Sequence, residues 1–285
     1  MKKFNIILIF TFIFSHYSYQ SILLPNSTYE LISGQPNYIL SNEILFKNKL
    51  SPSVSSTLIL LPEDIQVASF FYKNNFLGFH NQYKIQIIDY GNFNDSESGY
   101  VFSAKDILLH YNLMKSLSPK FSFCFGTHYF YSNIDNYNSS AIFFNASVLY
   151  GLERILFQYS INNLGFVIDK YTNFYEPLPF NYSFSISYLP KYLKSSIGFN
   201  YQKFDNLDLT NFVSEIYLYD SFSILFGYSS LAQSLHSNDN FEKDFFTGLS
   251  TGLNFNYKNL VINFGLKNLG SVGLIQSISL IKKLD

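Results

Sequence analysis

The sequence predicts an all-β protein, a transmembrane antiparallel β-barrel of about 14 strands with a plug-like N-terminal segment. Three observations predict it. Charged residues make up only 14% of the chain while aromatics reach 20%. Segments of strict two-residue alternation recur along its length. The connections between those segments alternate between short turns and longer polar loops.

Soluble domains carry about 25% charged residues, enough to coat a water-exposed surface. This chain has too few, and its 32 Phe and 24 Tyr need an apolar environment larger than an ordinary core. Lipid hydrocarbon with an aromatic belt at each interface supplies one. The formal net charge of −1 gives no clustered cation to neutralise phosphates, so nucleic acid is excluded as a partner.

The chain opens as an export signal does. Lys2 and Lys3 precede an apolar stretch over residues 4–14, and Ser15, Ser18 and Ser21 follow. Residues 1–20 are therefore expected to be a signal peptide, cleaved between Ser18 and Gln20. No later run reaches the roughly 18 apolar residues of a membrane-spanning helix, so any span must be built from strands. In hydrocarbon, strands satisfy their backbone groups only in a closed barrel. Residues 21–53, polar and without sustained alternation, precede the barrel and are expected to sit inside it as a plug. Residues 54–285 are assigned to the barrel.

Alternation is clearest where Tyr182, Phe184, Ile186 and Tyr188 interleave with Ser183, Ser185 and Ser187. Ile197, Phe199 and Tyr201 alternate in the same way with Gly198, Asn200 and Gln202, and Leu249, Leu253, Phe255 and Tyr257 with Ser250, Gly252, Asn254 and Asn256. In a membrane barrel the apolar set faces lipid and the small polar set lines the interior. Short turns are expected near residues 73–75, 118–120, 151–152, 190–193, 220 and 258. Longer loops are expected at 91–98, 132–138, 165–179, 205–210 and 232–244. Connections at 62–64 and 270–272 are short although they belong to the long-loop set. Residues 100–117 make one long strand whose apolar parity shifts near Ile107, as a β-bulge would produce. An even strand number puts both termini on one side, the periplasm.

Residues that could carry chemistry are sparse. Cys124 has no partner for a disulfide and reads as a small apolar strand residue. His80, His110, His128 and His236 fall on separate segments without a nucleophile motif, so no catalytic residue is assigned and the chain is read as a non-enzyme. The acidic residues Asp239, Glu242 and Asp244 lack the order of a calcium loop, and no metal or cofactor site is expected. Gly248, Gly252, Gly265, Gly270 and Gly273 form no phosphate cradle and are read as points of bending or close approach in the wall. Two loops are candidate partner-docking surfaces. One holds Tyr171, Phe174 and Tyr175, and the other holds Asp239, Glu242 and Asp244.

Several short motifs resemble the PorV/PorQ-type outer-membrane proteins, relatives of the FadL transporters. They are Asp89-Tyr90-Gly91, Glu97-Ser98-Gly99 with Phe102-Ser103-Ala104-Lys105-Asp106, Asn162-Asn163-Leu164-Gly165, and Leu178-Pro179-Phe180. Within that family the resemblance leans to PorQ of the type IX secretion system. The family's Asn-Pro-Ala element is absent; Ile32-Ser33-Gly34 and Leu50-Ser51-Pro52-Ser53 stand in that region. The chain ends Leu284-Asp285 without the terminal aromatic usual in such barrels. The resemblance implies a non-enzymatic platform or anchor in the Gram-negative outer membrane, with protein partners in a secretion and surface-attachment complex. Its alternatives are a PorV-like cargo shuttle and a FadL-like channel with a hydrophobic ligand in the lumen.

Overall fold

The computed structural model describes residues 19–34, 51–94, 100–171, 176–231 and 246–284. Of the expected export segment, residues 1–20, residues 1–18 lie outside them. Fourteen strands form a closed antiparallel barrel. They are β1 (Ser53–Leu60), β2 (Gln66–Phe76), β3 (Phe79–Asn94), β4 (Val101–Ser116), β5 (Phe121–Ile134), β6 (Tyr137–Gly151) and β7 (Ile155–Asp169). The second half comprises β8 (Asn181–Tyr188), β9 (Ser195–Lys203), β10 (Asp208–Tyr219), β11 (Phe222–Ser229), β12 (Leu249–Tyr257), β13 (Leu260–Asn268) and β14 (Leu274–Lys283).

Each strand pairs with its sequence neighbours, and β1 closes on β14 from Ser53↔Lys283 to Leu60↔Gln276. Both strand termini therefore lie at one end of the barrel, called here the terminal end. The other is the loop end. No helix among the described residues is long and apolar enough to cross a membrane.

Burial follows the two-residue period. On β8, Ser183, Ser185 and Ser187 are buried while Tyr182, Phe184 and Tyr188 are exposed. On β12, Ser250, Gly252 and Asn254 face inward while Leu249, Leu253 and Phe255 face out. Serine and asparagine thus fill the interior and the apolar side chains cover the exterior, the reverse of a soluble sheet. Tyr72, Tyr83 and Tyr111 are cross-strand neighbours on the outer face, with ring centroids 6.1 and 5.1 Å apart. Together with Tyr150, Tyr188, Tyr219 and Tyr257 near the strand ends, they ring the terminal end with phenols.

Three local expectations are corrected. The β2–β3 turn falls at Leu77 and Gly78, both at positive φ (52° and 75°), as a tight primed turn requires. The Asn pair that signalled a turn at 73–75 is instead zipped into the ladder as Asn74↔Asn81 and Asn75↔His80. Residues 132–138 form no loop, because β5 and β6 run to a turn at Asp135 (φ 54°) and Asn136. The bulge expected near Ile107 lies on the partner strand, between Asp89 and Asn92. β4 keeps even residues inward past Ile107; buried Leu108 only mimics a parity change.

Residues 19–34 of the N-terminal segment run inside the lumen, and residues 35–50 of the expected plug lie outside the described residues. Helix α1 (Thr28–Ser33) is a helix of 6 residues, too short to persist alone. Ser27 caps its N-terminus by accepting from the Glu30 N–H, and Gly34 closes it in the left-handed conformation at φ 61°. Packing supplies the rest. Three glycines on neighbouring strands, Gly227, Gly252 and Gly265, leave a bare patch against which Ile32 and Thr28 rest. A Cβ on Gly227 would lie 2.0 Å from the Ile32 carbonyl oxygen, and one on Gly252 2.2 Å from Ile32 Cδ1. Ser250 Oγ donates to the Ile32 carbonyl at 3.0 Å, and Thr28 Oγ1 meets Ser279 Oγ at 2.8 Å. Gly248, Gly270 and Gly273 instead occupy positive-φ turns. The segment begins with Tyr19, whose ring packs edge-on against Phe130 at 5.6 Å and whose hydroxyl meets Ser139 Oγ at 2.9 Å.

The glycine patch predicts a selective defect. Gly227→Ala should force α1 off the wall while the barrel still closes, at a cost of about 1–3 kcal/mol. Limited proteolysis should then cut between residues 19 and 34 in the variant but not in the parent, with a lower Tm. Equal resistance in both proteins would show that α1 does not rest on this patch.

Candidate functional site in the barrel lumen

The lumen is divided by chemistry along its axis. Toward the loop end, wall residues Ile59, Val67, Ile88, Leu108, Phe130, Ala141 and Phe143 form one buried apolar cluster. The N-terminal segment adds Tyr19 and Leu31, with Ile22 and Leu24 packed alongside, and the chain leading into β8 adds Leu178. A nonpolar stopper thus fills the bore, assembled from three separate parts of the chain. Burial of its side chains is worth about 1.5–3 kcal/mol each, which holds the N-terminal segment in place.

Polar groups pin the stopper at its rim. Tyr90 Oη donates to Asp106 Oδ2 at 2.8 Å, Ser132 also donates to Asp106, and Tyr171 donates to Ser132. The carboxylate of Asp106, 4% exposed, is thus held by hydroxyls in place of a cation. Burial is the main influence on the Tyr171 phenol and raises its pKa, so it stays a donor in this bond at neutral pH. Of the residues read from the sequence as docking surfaces, Tyr171 turns inward to this network. Phe174, Tyr175, Asp239, Glu242 and Asp244 lie outside the described residues, as does His236.

Toward the terminal end the wall between β2 and β7 encloses a cleft lined by amides and hydroxyls, among them Gln82, Asn112, Asn145, Ser147, Gln158 and Asn162. It is partly open to solvent. Next along the same inner faces of β4 and β5, beyond the cleft-lining Asn112 and Gly126, lies a feature whose residues the sequence placed on separate segments. His110 and His128 are direct cross-strand partners, and their Nδ1 atoms are 2.6 Å apart. Lys84, 8% exposed, stands beside them on β3. His80, expected to be isolated, hydrogen-bonds Asn75 through Nδ1 at 2.5 Å on the cleft wall. Cys124 is half-buried and free, also on that wall.

The fourth feature is a break in the wall. β7 pairs with β6 as far as Asp169 but with β8 only from Ile155 to Asn162. The cause is in the sequence. Pro177 and Pro179 lack the N–H that would extend β8 alongside β7. Register shifts between Ser140/Ala141 and Phe144/Ala146 bend the β6–β7 ladder at the same height, and Asn163 sits at φ 60°. Two hydrogen bonds secure the bend: the Asn163 backbone N–H donates to Asn145 Oδ1 at 2.7 Å, and Asn163 Nδ2 donates to the Pro179 carbonyl at 2.9 Å. Two motifs quoted for the family resemblance, Asn162-Asn163-Leu164-Gly165 and Leu178-Pro179-Phe180, therefore meet in space at this break. Beyond it Leu164, Phe166 and Ile168 are exposed at 58%, 57% and 48%, a greasy lip beside the unpaired edge.

No family model matches the chain, and no curated protein matches it in sequence. Solved structures do. The Pseudomonas putida toluene transporter TodX superposes with a TM-score of 0.58 at 7% identity, covering 86% of this chain and 92% of that one. A TodX deletion mutant described as a monoaromatic hydrocarbon channel gives 0.61 at 8% identity, covering 90% and 99%. The toluene transporter TbuX of Ralstonia pickettii gives 0.49 at 10% identity, covering 82% and 88%. The chain shares the 14-strand closed barrel of FadL-type outer-membrane proteins. These three structures are described as transporters and a channel. Nothing in these comparisons points to PorV, PorQ or type IX secretion.

The break makes Asn163 testable by two substitutions. Asn163→Gly keeps the positive φ and loses only the side-chain bond to Pro179, whereas Asn163→Ala loses both. Alanine should destabilise the barrel by about 1–2 kcal/mol more than glycine, from left-handed strain. Denaturant titration of the refolded barrels measures the difference. Equal stabilities would mean that the bend relaxes without Asn163.

Proposed function

We propose that this barrel is an outer-membrane channel for hydrophobic small molecules, with its loop end outside and its terminal end in the periplasm. The observation that carries this reading is the coincidence of the apolar stopper and the wall break: the ladder between β7 and β8 stops at the height where the lumen is nonpolar. An unpaired strand edge is unfavourable against hydrocarbon, so a break there is retained only where it lines a passage or is covered by protein. A nonpolar solute entering from outside would partition among the stopper side chains. It would then leave sideways past Leu164, Phe166 and Ile168 into the bilayer.

The similar structures support the solute class, since they are described as a toluene transporter and a monoaromatic hydrocarbon channel. The role of attachment platform, implied by the motif resemblance alone, has no matching observation in the described residues.

Uptake of radiolabelled toluene by Gram-negative cells expressing the barrel tests the reading, because their outer leaflet slows the entry of hydrocarbons. Uptake should exceed that of cells with an empty vector. The double substitution Pro177→Val/Pro179→Val restores two N–H donors, lets β8 zip along β7, and should reduce uptake several-fold. Background uptake from the parent protein would rule out the channel. Undiminished uptake through the double variant would rule out the lateral route.

A further inference from the structure

The chain has one cysteine, Cys124, and one methionine beyond Met1, Met114. The fold sets them side by side. His80, Met114 and Cys124 lie at one level of the inner wall, on β3, β4 and β5, and each is the direct cross-strand partner of the next: His80↔Met114 and Met114↔Cys124. All three line the polar cleft. Direct partners hold their Cβ atoms about 4.5–5.5 Å apart, and the inward curvature of the wall brings the tips of their side chains closer still. An imidazole, a thioether and a thiol therefore share one stretch of cleft wall, although the sequence offers His80 and Cys124 only as separate residues. Among the described residues no three His, Cys, Asp or Glu side chains gather as a metal site, and here the thioether completes the set.

The neighbours of this row prepare its ligand atoms. Asn75, the partner of His80 on β2, accepts from His80 Nδ1 through Oδ1 at 2.5 Å. An amide oxygen can only accept, so Nδ1 carries the hydrogen and the lone pair of the neutral ring sits on Nε2. A hydrogen-bond acceptor behind the ring is how metal-ligating histidines are oriented. Ser147, the partner of Cys124 on β6, hydrogen-bonds the thiol, and Leu149 and Leu156 form an apolar cluster against which Cys124 packs. Met114 is buried. Among the described residues that line the cleft none is a carboxylate, and Lys73 is a cation. A hard dication such as calcium or magnesium thus meets no anionic oxygen there and is repelled by the ammonium.

We propose that His80 Nε2, Met114 Sδ and Cys124 Sγ form a binding site for a soft monovalent cation, Cu(I), open to solvent through the cleft. Thiolate and thioether ligands select soft ions, and imidazole suits copper as well. Zinc takes thiolate, imidazole or carboxylate but gains little from a thioether, so Met114 is the ligand that sets the preference. As the sulfur–copper bond forms, the Cys124 S–H bond breaks and its proton passes to solvent. The thiolate neutralises the ion, and no electron is transferred. Asn75 is a positioning residue that acts through His80. The site does not require the barrel to conduct, and it goes beyond the hydrocarbon reading by giving the polar half of the bore a ligand of its own.

Competition with a chromophoric Cu(I) chelator tests the site on the full-length, detergent-refolded protein, with ascorbate keeping the metal reduced. One copper ion should bind per chain, with release of a proton. A group behind a metal ligand is already worth about 10–100-fold in affinity, so Met114→Leu, Cys124→Ser and His80→Gln should each weaken binding by roughly tenfold or more. Zn(II) should bind more weakly than Cu(I) and be indifferent to Met114→Leu. X-ray absorption at the copper edge should show two sulfur neighbours and one nitrogen neighbour in the parent, and a single sulfur in Met114→Leu. Absent copper binding, a loss confined to Cys124→Ser, which marks a lone thiol, or Zn(II) held as tightly as Cu(I) would overturn the site. Should Met114→Leu fail to give a heat-modifiable barrel in electrophoresis, His80→Gln serves in its place, with the nitrogen neighbour as the one lost. Copper binding is measured without hydrocarbon and toluene uptake without copper, so failure of either leaves the other reading standing.

Discussion

Closure of the ladder is the constraint from which the rest of the structure follows. Once β1 meets β14, each strand has two neighbours, and among the described residues the longest run of ladder left open is the upper part of β7. A sheet closed in this way has one face that can meet lipid and one that cannot, and the two-residue period sorts the side chains between them. Interior positions then have to be filled without a hydrophobic core in the ordinary sense. Serine and asparagine do this on β8, β9 and β14, where hydroxyls and amides satisfy one another. Where small residues leave a hollow, on β11 to β13, the N-terminal helix occupies it.

The same constraint makes exceptions informative. Nonpolar side chains turn inward mainly at the loop end, where they join the N-terminal segment in a dry stopper, and beside that stopper the ladder between β7 and β8 stops early. Lys84 and the histidine pair lie at the level of Phe143, where the stopper gives way to the polar half of the bore. The bore is thus graded, from a nonpolar loop end beside the break in the ladder to a terminal half where amides and hydroxyls line the wall.

Much of the barrel was legible in the sequence because its rule is local. Alternation at Tyr182 to Tyr188 or Leu249 to Tyr257 identifies both faces without tertiary information. The turns at 118–120, 220 and 258 fall where expected, between β4 and β5, β10 and β11, and β12 and β13. Errors arose where a polar residue had two uses. Asn74 and Asn75 resemble turn formers yet pair across the ladder, and residues 132–138 look like a loop because Ser132 is polar for its bonds to Asp106 and Tyr171 in the rim and Asn133 for its bonds to the turn's own carbonyls. The histidine pair was within reach of the sequence: a turn centred on residue 119 sets 110 opposite 128, yet the residues were read one at a time. The early end of β8 was also written in Pro177 and Pro179. The seating of α1 was not, since no local pattern says that Gly227 and Gly252 on separate strands will receive Ile32.

The account stands on the outward direction of the apolar side chains. Single cysteines in a Cys124→Ser background, labelled with a small fluorophore in bilayers of brominated lipid, report that direction residue by residue. Labels at Ile85, Leu109 and Phe264 should be quenched by the bromine atoms, and labels at Gln86, Leu108 and Asn263 should not. Equal quenching of the two sets, or a protein that leaves the lipid and stays monomeric in plain buffer, would contradict it.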